Sequence, residues 1–78
     1  RHEVLLEDLY LSVPVTEPMD VTAKIRYNMV AQKAKFVPGP VPKLVFKEPV
    51  RAVTPGQMAV AYRGATVVGG GIIADENM

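Results

Sequence analysis

Apolar and polar residues alternate without a break near the start of the chain, and this pattern constrains the fold more than any other feature. From Asp20 to Asn28, one set of alternate positions is Val21, Ala23, Ile25 and Tyr27, and the other is Thr22, Lys24, Arg26 and Asn28. A period of two residues is typical of a strand with one buried face and does not suit a helix. The pattern therefore predicts a half-buried β-strand.

Proline and glycine divide the remaining chain into similarly short segments. The strongest turn signals are Pro38-Gly39-Pro40, the type II turn Thr54-Pro55-Gly56-Gln57 and the hairpin tip Arg63-Gly64-Ala65. Strand-like segments lie between them at residues 30–37, 43–47, 58–63 and 66–73. Five or six short strands with turns about every ten residues, and no convincing helix, predict an all-β fold.

The predicted architecture is a small antiparallel β-barrel of about six short strands, and a sandwich is the other arrangement that the pattern allows. Closure is favoured because it removes unpaired strand edges. Tyr27 and Tyr62 are predicted to be buried on the apolar faces of their strands, and Phe36 and Phe46 to belong to the core. If the tyrosines were exposed instead, they could stack on nucleobases.

The chain ends are less regular than its middle. Residues 3–11 fit neither the strand nor the helix period, and two prolines follow them. We expect residues 1–16 to be a linker or the end of a preceding domain, with a first strand as the alternative, residues 17–74 to form the barrel, and residues 75–78 to fray. Because the chain begins with Arg1, we expect a fragment or a processed product.

Charge is distributed unevenly along the 78 residues. Residues 1–20 carry five acidic side chains and one arginine, whereas residues 21–73 carry eight lysines and arginines and one acid, Glu48. A basic module of this kind attracts polyanions. The same lysines are also typical of small β domains that protect exposed sheet surfaces from aggregation, so charge alone leaves both interpretations open.

Few residues in this chain could carry catalysis. It has no cysteine, its single histidine is His2, and its carboxylates form no apparent pair in a cleft. Gly69-Gly70-Gly71 is not followed by a helix, so a strand bend or a close backbone approach is favoured over a phosphate-binding loop. We therefore predict no catalytic, cofactor-binding or metal-ligating residue here. Without a signal sequence or a membrane-spanning run, a cytoplasmic location is expected.

Three blocks in the second half of the chain resemble a known family. Residues 48–57 read Glu-Pro-Val-Arg-Ala-Val-Thr-Pro-Gly-Gln, a strand ending in Tyr62 follows, and Val67 to Ile73 contain the three glycines. These blocks resemble the C-terminal domain of the tRNA-specific 2-thiouridylases. The segment from Val21 to Tyr27 is similar to the strand that opens that domain, so the resemblance covers about residues 17–73.

The resemblance implies a role within a larger enzyme. The complete enzyme activates a wobble uridine of tRNA with ATP and transfers sulfur to it from a persulfide on a catalytic cysteine. Its ATP-binding loop and cysteines, and hence the ATP and Mg²⁺, belong to an N-terminal domain, so this chain by itself is not expected to be an enzyme. The barrel is also similar in class to the second domain of translation elongation factors, a likeness of fold only.

The leading hypothesis is that the barrel helps to bind and position tRNA. The implied partners are tRNA, the catalytic domain of the parent and sulfur-relay proteins, with no membrane. The candidate RNA-binding residues are Lys24, Arg26, Lys33, Lys35, Arg51, Gln57 and Arg63. The alternative is a structural or docking barrel that packs on the catalytic domain or on a sulfur-relay protein without touching RNA. Cations clustered on one side would favour RNA, and a broad apolar outer face would favour docking.

Overall fold

Six antiparallel strands account for most of the chain. The structure, a computed structural model, describes residues 1–75. The strands are β1 (Glu3–Leu11), β2 (Met19–Lys24), β3 (Gln32–Val37), β4 (Lys43–Phe46), β5 (Met58–Arg63) and β6 (Thr66–Ile73). No α-helix occurs among residues 1–75, so the prediction of an all-β fold is confirmed.

The strands close into a barrel in the order β1-β4-β3-β2-β5-β6. Closure depends on β1, which pairs with β4 along one edge and with β6 along the other. Residues 1–16 were expected to be a linker or the end of a preceding domain, or alternatively a first strand. The structure shows the strand, over Glu3–Leu11. The register between β1 and β6 shifts between Glu7 and Tyr10, where Asp8 has a φ of 49°. A register shift at a residue with positive φ is typical of a β-bulge, which bends the strand that carries it.

The inward-facing side chains form one core. Both phenylalanines, Phe36 and Phe46, are almost fully buried, as predicted. Alternation holds along β3, where Lys33 and Lys35 are exposed while Ala34 is buried with Phe36. The other members of the core include Val4, Leu6, Val21, Ala23, Ile25, Leu44, Val68 and Ile73.

The inward face of β5 is the opposite of the predicted one. Ala59 and Ala61 are buried, whereas Tyr62 is half-buried on the outward face. Phe36 and Leu44 line the same narrow interior as the two alanines. Because these large side chains fill the space from the other wall, only small residues fit on β5. The prediction that Tyr62 lies in the core is therefore wrong.

The prediction that Tyr27 is buried is also wrong, since its side chain is 96% exposed. The strand ends at Lys24, and the chain then turns, so the alternation does not continue in space. The backbone N–H of Ile25 donates to the sulfur of Met29 at 3.4 Å. Met29 packs against the core instead of the tyrosine, which leaves Tyr27 in the loop that connects β2 and β3.

The three consecutive glycines lie in the middle of β6 and are buried. A methyl group on Gly69 would collide with the carbonyl oxygen of Tyr10, and one on Gly70 with that of Ala59. The glycines therefore allow close approach of neighbouring backbones, as predicted. They are paired with β5 and β1 rather than arranged as a phosphate-binding loop.

The turn before β5 has the predicted type II features. Gly56 has a φ of 89°, and the N–H of Gln57 donates to the carbonyl oxygen of Thr54 at 3.2 Å. A positive φ at the third position of the turn favours glycine because it has no Cβ.

Replacing Gly56 with alanine should lower the free energy of unfolding by about 1 kcal/mol. The loss comes from backbone strain alone, because a Cβ at this position would meet no atom within 4 Å. Urea denaturation followed by circular dichroism measures it. A Gly56→Asn variant, which tolerates positive φ better, should lose less, and equal losses in the two variants would contradict this explanation.

Candidate nucleic-acid interface

A groove on the outside of the barrel runs across β2, β3 and β5. The outward residues of these strands form a row, because Thr22 pairs with Lys33 on one side and with Tyr62 on the other. Lys47 extends the row, since its N–H donates to the carbonyl oxygen of Lys33 at 3.0 Å. The groove has a volume of about 550 Å³. Along this row, Lys47 and Lys33 come first, followed by the hydroxyl group of Thr22 and the ring of Tyr62.

Positive charge dominates this groove. Its charged lining residues are Lys33, Lys35, Lys47 and Arg63, against one carboxylate, Asp20. The Nζ of Lys35 lies 3.2 Å from Oδ1 of Asp20. Both side chains are largely exposed, so this pair contributes at most about 1 kcal/mol. Among residues 1–75, Lys33 and Lys47 form no ion pair and remain available to an anionic ligand.

Arg26 and Arg51 lie together in a second hollow near the end of the barrel. The Nη1 of Arg26 donates to the carbonyl oxygen of Arg51 at 2.9 Å. The hollow has a volume of about 480 Å³ and includes Glu48 in its lining. The structure therefore places five of the seven predicted contact residues in two separate hollows instead of gathering them in one.

The two remaining candidates lie outside both hollows. Lys24 points outward on β2, two residues beyond Thr22, and pairs with Val60 of β5. Gln57 is exposed in the type II turn, and its carbonyl oxygen accepts from the N–H of Ile73 at 2.8 Å.

Two groove residues, Lys47 and Tyr62, were missing from the sequence-based set. Lys47 could have been found, since Lys43, Val45 and Lys47 share the outward face of the predicted fourth strand. Tyr62 could not have been found in this way. Met58, Val60 and Tyr62 on one face of the strand are as apolar as Ala59 and Ala61 on the other, so the sequence does not show which face is outward.

The surface next to the groove, which runs from β5 across β6 to β1, is apolar. Tyr10 lies over Gly70, where a Cβ would be 3.2 Å from its Cε1 atom, and Met58 pairs with Ile72. Met58 is 52% exposed and Tyr10 is 45% exposed. We call this surface the apolar face, and its outward residues are Tyr10, Met58, Val60, Val67 and Ile72.

Residues 1–75 contain no group of three or more histidines and carboxylates that could hold a metal ion. No helix of the same part of the chain is long and apolar enough to cross a membrane. The described surface thus offers a basic groove, an arginine-lined hollow and an apolar face.

Comparison with known proteins defines the class of this barrel. Residues 1–73 match the family described as the aminomethyltransferase beta-barrel domain, and the chain belongs to that family. This match covers β1 as well as the other five strands, so the first strand is part of the family domain.

The relatives are more specific than the family description. A tRNA-specific 2-thiouridylase MnmA from Chlorobium luteolum is 52% identical over 66 residues, which is 77% of this chain and 18% of the relative. Proteins of the same name from Chlamydia trachomatis serovar L2 and Desulfitobacterium hafniense are 43% and 42% identical, over 94% and 92% of this chain and 21% and 23% of the relatives. The predicted resemblance to the C-terminal domain of the 2-thiouridylases is confirmed. The chain spans about a fifth of the length of these curated relatives.

Proposed function

We propose that this barrel binds and positions tRNA for a tRNA-specific 2-thiouridylase, while another domain carries out the ATP-dependent 2-thiolation of the wobble uridine. The observation that carries the proposal is the basic groove, in which Lys33 and Lys47 lie side by side without an acidic partner among residues 1–75. The relatives, which are named for action on tRNA, support the same class of ligand.

The groove suits an RNA backbone because adjacent strands lie about 4.8 Å apart, which sets the spacing between the backbones that carry neighbouring lysines. Lysines at this spacing contact phosphate oxygens without selecting a base. Such contacts fix the orientation of an RNA, and sequence-independent positioning is what a domain needs when the chemistry takes place elsewhere.

Among residues 1–75, no group of side chains fits ATP or Mg²⁺. Gly69 and Gly70 are paired with both β1 and β5, and Gly71 is paired with β5. Residues 1–75 hold no cluster of metal-ligating side chains. We therefore propose ATP and Mg²⁺ only for the remainder of the parent protein and derive no catalytic step here.

Binding of tRNA to this chain should weaken steeply with salt. If the four groove cations contact four phosphates, a plot of log affinity against log salt has a slope of about −3. Fluorescence anisotropy with labelled tRNA at increasing KCl measures this slope. Absence of binding at low salt, or an affinity that does not change with KCl, would contradict the proposal.

The apolar face favours a second role, docking onto the catalytic part of the parent. It lies on β1, β5 and β6 and borders the groove along β5, but it does not include the two unpaired lysines, Lys33 on β3 and Lys47 after β4. Both roles can therefore coexist. An apolar surface of this kind is typical of an interface between domains or proteins. A sulfur-relay protein is the other proposed occupant. A barrel that served docking alone would not bind tRNA at low salt.

A further inference from the structure

The loop between β2 and β3 carries the most exposed large apolar side chains among residues 1–75. Tyr27 is 96% exposed and Val30 is 78% exposed. An aromatic ring exposed in this way contributes none of the free energy that its burial would add to folding. The neighbouring core is closed by Met29 instead, so Tyr27 is not required for packing and is free to contact a ligand.

Hydrogen bonds hold this loop in one shape. The N–H of Met29 donates to the carbonyl oxygen of Arg26 at 3.4 Å, and Nε2 of Gln32 donates to that of Val30 at 3.0 Å. The sulfur contact from Ile25 and the guanidinium contact to Arg51 anchor its first half. The ring of Tyr27 is therefore presented on a preorganised support, which lowers the entropic cost of binding.

Two arginines line the hollow that borders this loop. Arg26 and Asn28, the residues on either side of Tyr27, both line the second hollow, together with Arg51. The hollow has one carboxylate in its lining, that of Glu48. A loop that carries an exposed ring next in sequence to Arg26, which in turn contacts Arg51, combines a stacking surface with contacts for phosphate.

We propose that the Tyr27 loop binds an unpaired nucleotide of an RNA. The ring of Tyr27 stacks on the base, and Arg26 and Arg51 contact the adjacent phosphates. A base within a duplex offers no free face, so this site selects single-stranded RNA. The inference rests on the proposed function and adds to it a second site, distinct from the groove of Lys33 and Lys47.

Binding to two RNAs tests the proposal. The ligands are a single-stranded oligouridylate and a blunt RNA duplex of the same length, titrated against the 78-residue chain at low salt. Tyr27→Ala should weaken binding of the oligouridylate about tenfold and change binding of the duplex by less than about twofold. Tyr27→Phe, which keeps the ring, should retain the affinity.

Val41→Ala is the matched control, because Val41 is 59% exposed in the connection between β3 and β4, at the other end of the barrel. It should leave both affinities unchanged. The proposal is overturned if the wild-type chain does not bind oligouridylate, or if Tyr27→Ala binds it as tightly as wild type or weakens both RNAs equally. If Tyr27→Ala has no effect while neutralising Lys33 and Lys47 weakens tRNA binding, the proposed function stands and this second site does not exist.

Discussion

Replacing Gly70 with alanine should lower the free energy of unfolding by about 3 kcal/mol, because the sheet has no room for a side chain at this position. The added methyl group would collide with the backbone carbonyl of Ala59 and would also lie 3.2 Å from Cε1 of Tyr10. A carbonyl within the β5–β6 ladder cannot move without breaking strand pairing. Since a domain of this size is stable by only about 0.1 kcal/mol per residue, the loss is a large part of the total.

Thermal denaturation monitored by circular dichroism measures this loss, which corresponds to a fall in Tm of roughly 15 °C. Gly56→Ala is the matched control, because it makes the same chemical change where a Cβ has open space. A Gly70→Ala variant no less stable than Gly56→Ala would show that β6 and β5 can separate, and that the glycines are not needed for close approach.

Neutralising both unpaired lysines of the groove should weaken tRNA binding about 100-fold at low salt. In the double variant Lys33→Gln/Lys47→Gln, two contacts with phosphate are lost, each contributing about 1.5 kcal/mol. Both side chains are exposed, so the fold should not change. Fluorescence anisotropy at a fixed, low KCl concentration measures the affinity, and the salt slope should become shallower by about 1.5, half of the value for four cations.

A second double variant, Lys35→Gln/Lys43→Gln, removes the same amount of charge, again with one lysine from β3 and one from β4 or directly beside it. These lysines already face carboxylates, with Lys35 at 3.2 Å from Asp20 and Lys43 at 3.5 Å from Glu3. Their loss should weaken binding by less than about fivefold. Equal losses in the two double variants would mean that only the net charge of the barrel matters, and that the groove is not the binding surface.

Local patterns in the sequence were sufficient to predict most of the fold. Alternation identified β2 and β3, and the Pro55-Gly56 pair identified the type II turn, because each depends only on neighbouring residues. Local patterns could not predict that residues 3–11 form the strand that closes the barrel. Its role depends on pairing with β4 and β6, which lie far away in the chain.

The tyrosines show why the candidate site was predicted only in part. On β5, both alternate faces are apolar, and the choice of Ala59 over Tyr62 depends on the volume that Phe36 and Leu44 occupy across the barrel. At Tyr27, the sequence alternation runs past the point where the strand ends. In both cases a constraint from other parts of the fold, which the local pattern does not contain, determines where the ring lies. Tyr62 lines the basic groove, and Tyr27 is next to Arg26 in the chain.

The pairing of β1 with both β4 and β6 also determines how the protein must fold. The ladder between β1 and β6 joins Leu6 to Ile73, so the ring of strands cannot be completed until the ribosome has delivered nearly all of this segment. A nascent chain ending before Thr66 would leave the partner edges of β1 and β5 bare and prone to aggregation. We therefore expect slow folding, limited by the search for this long-range pairing, and release of a protected domain only after β6 has emerged.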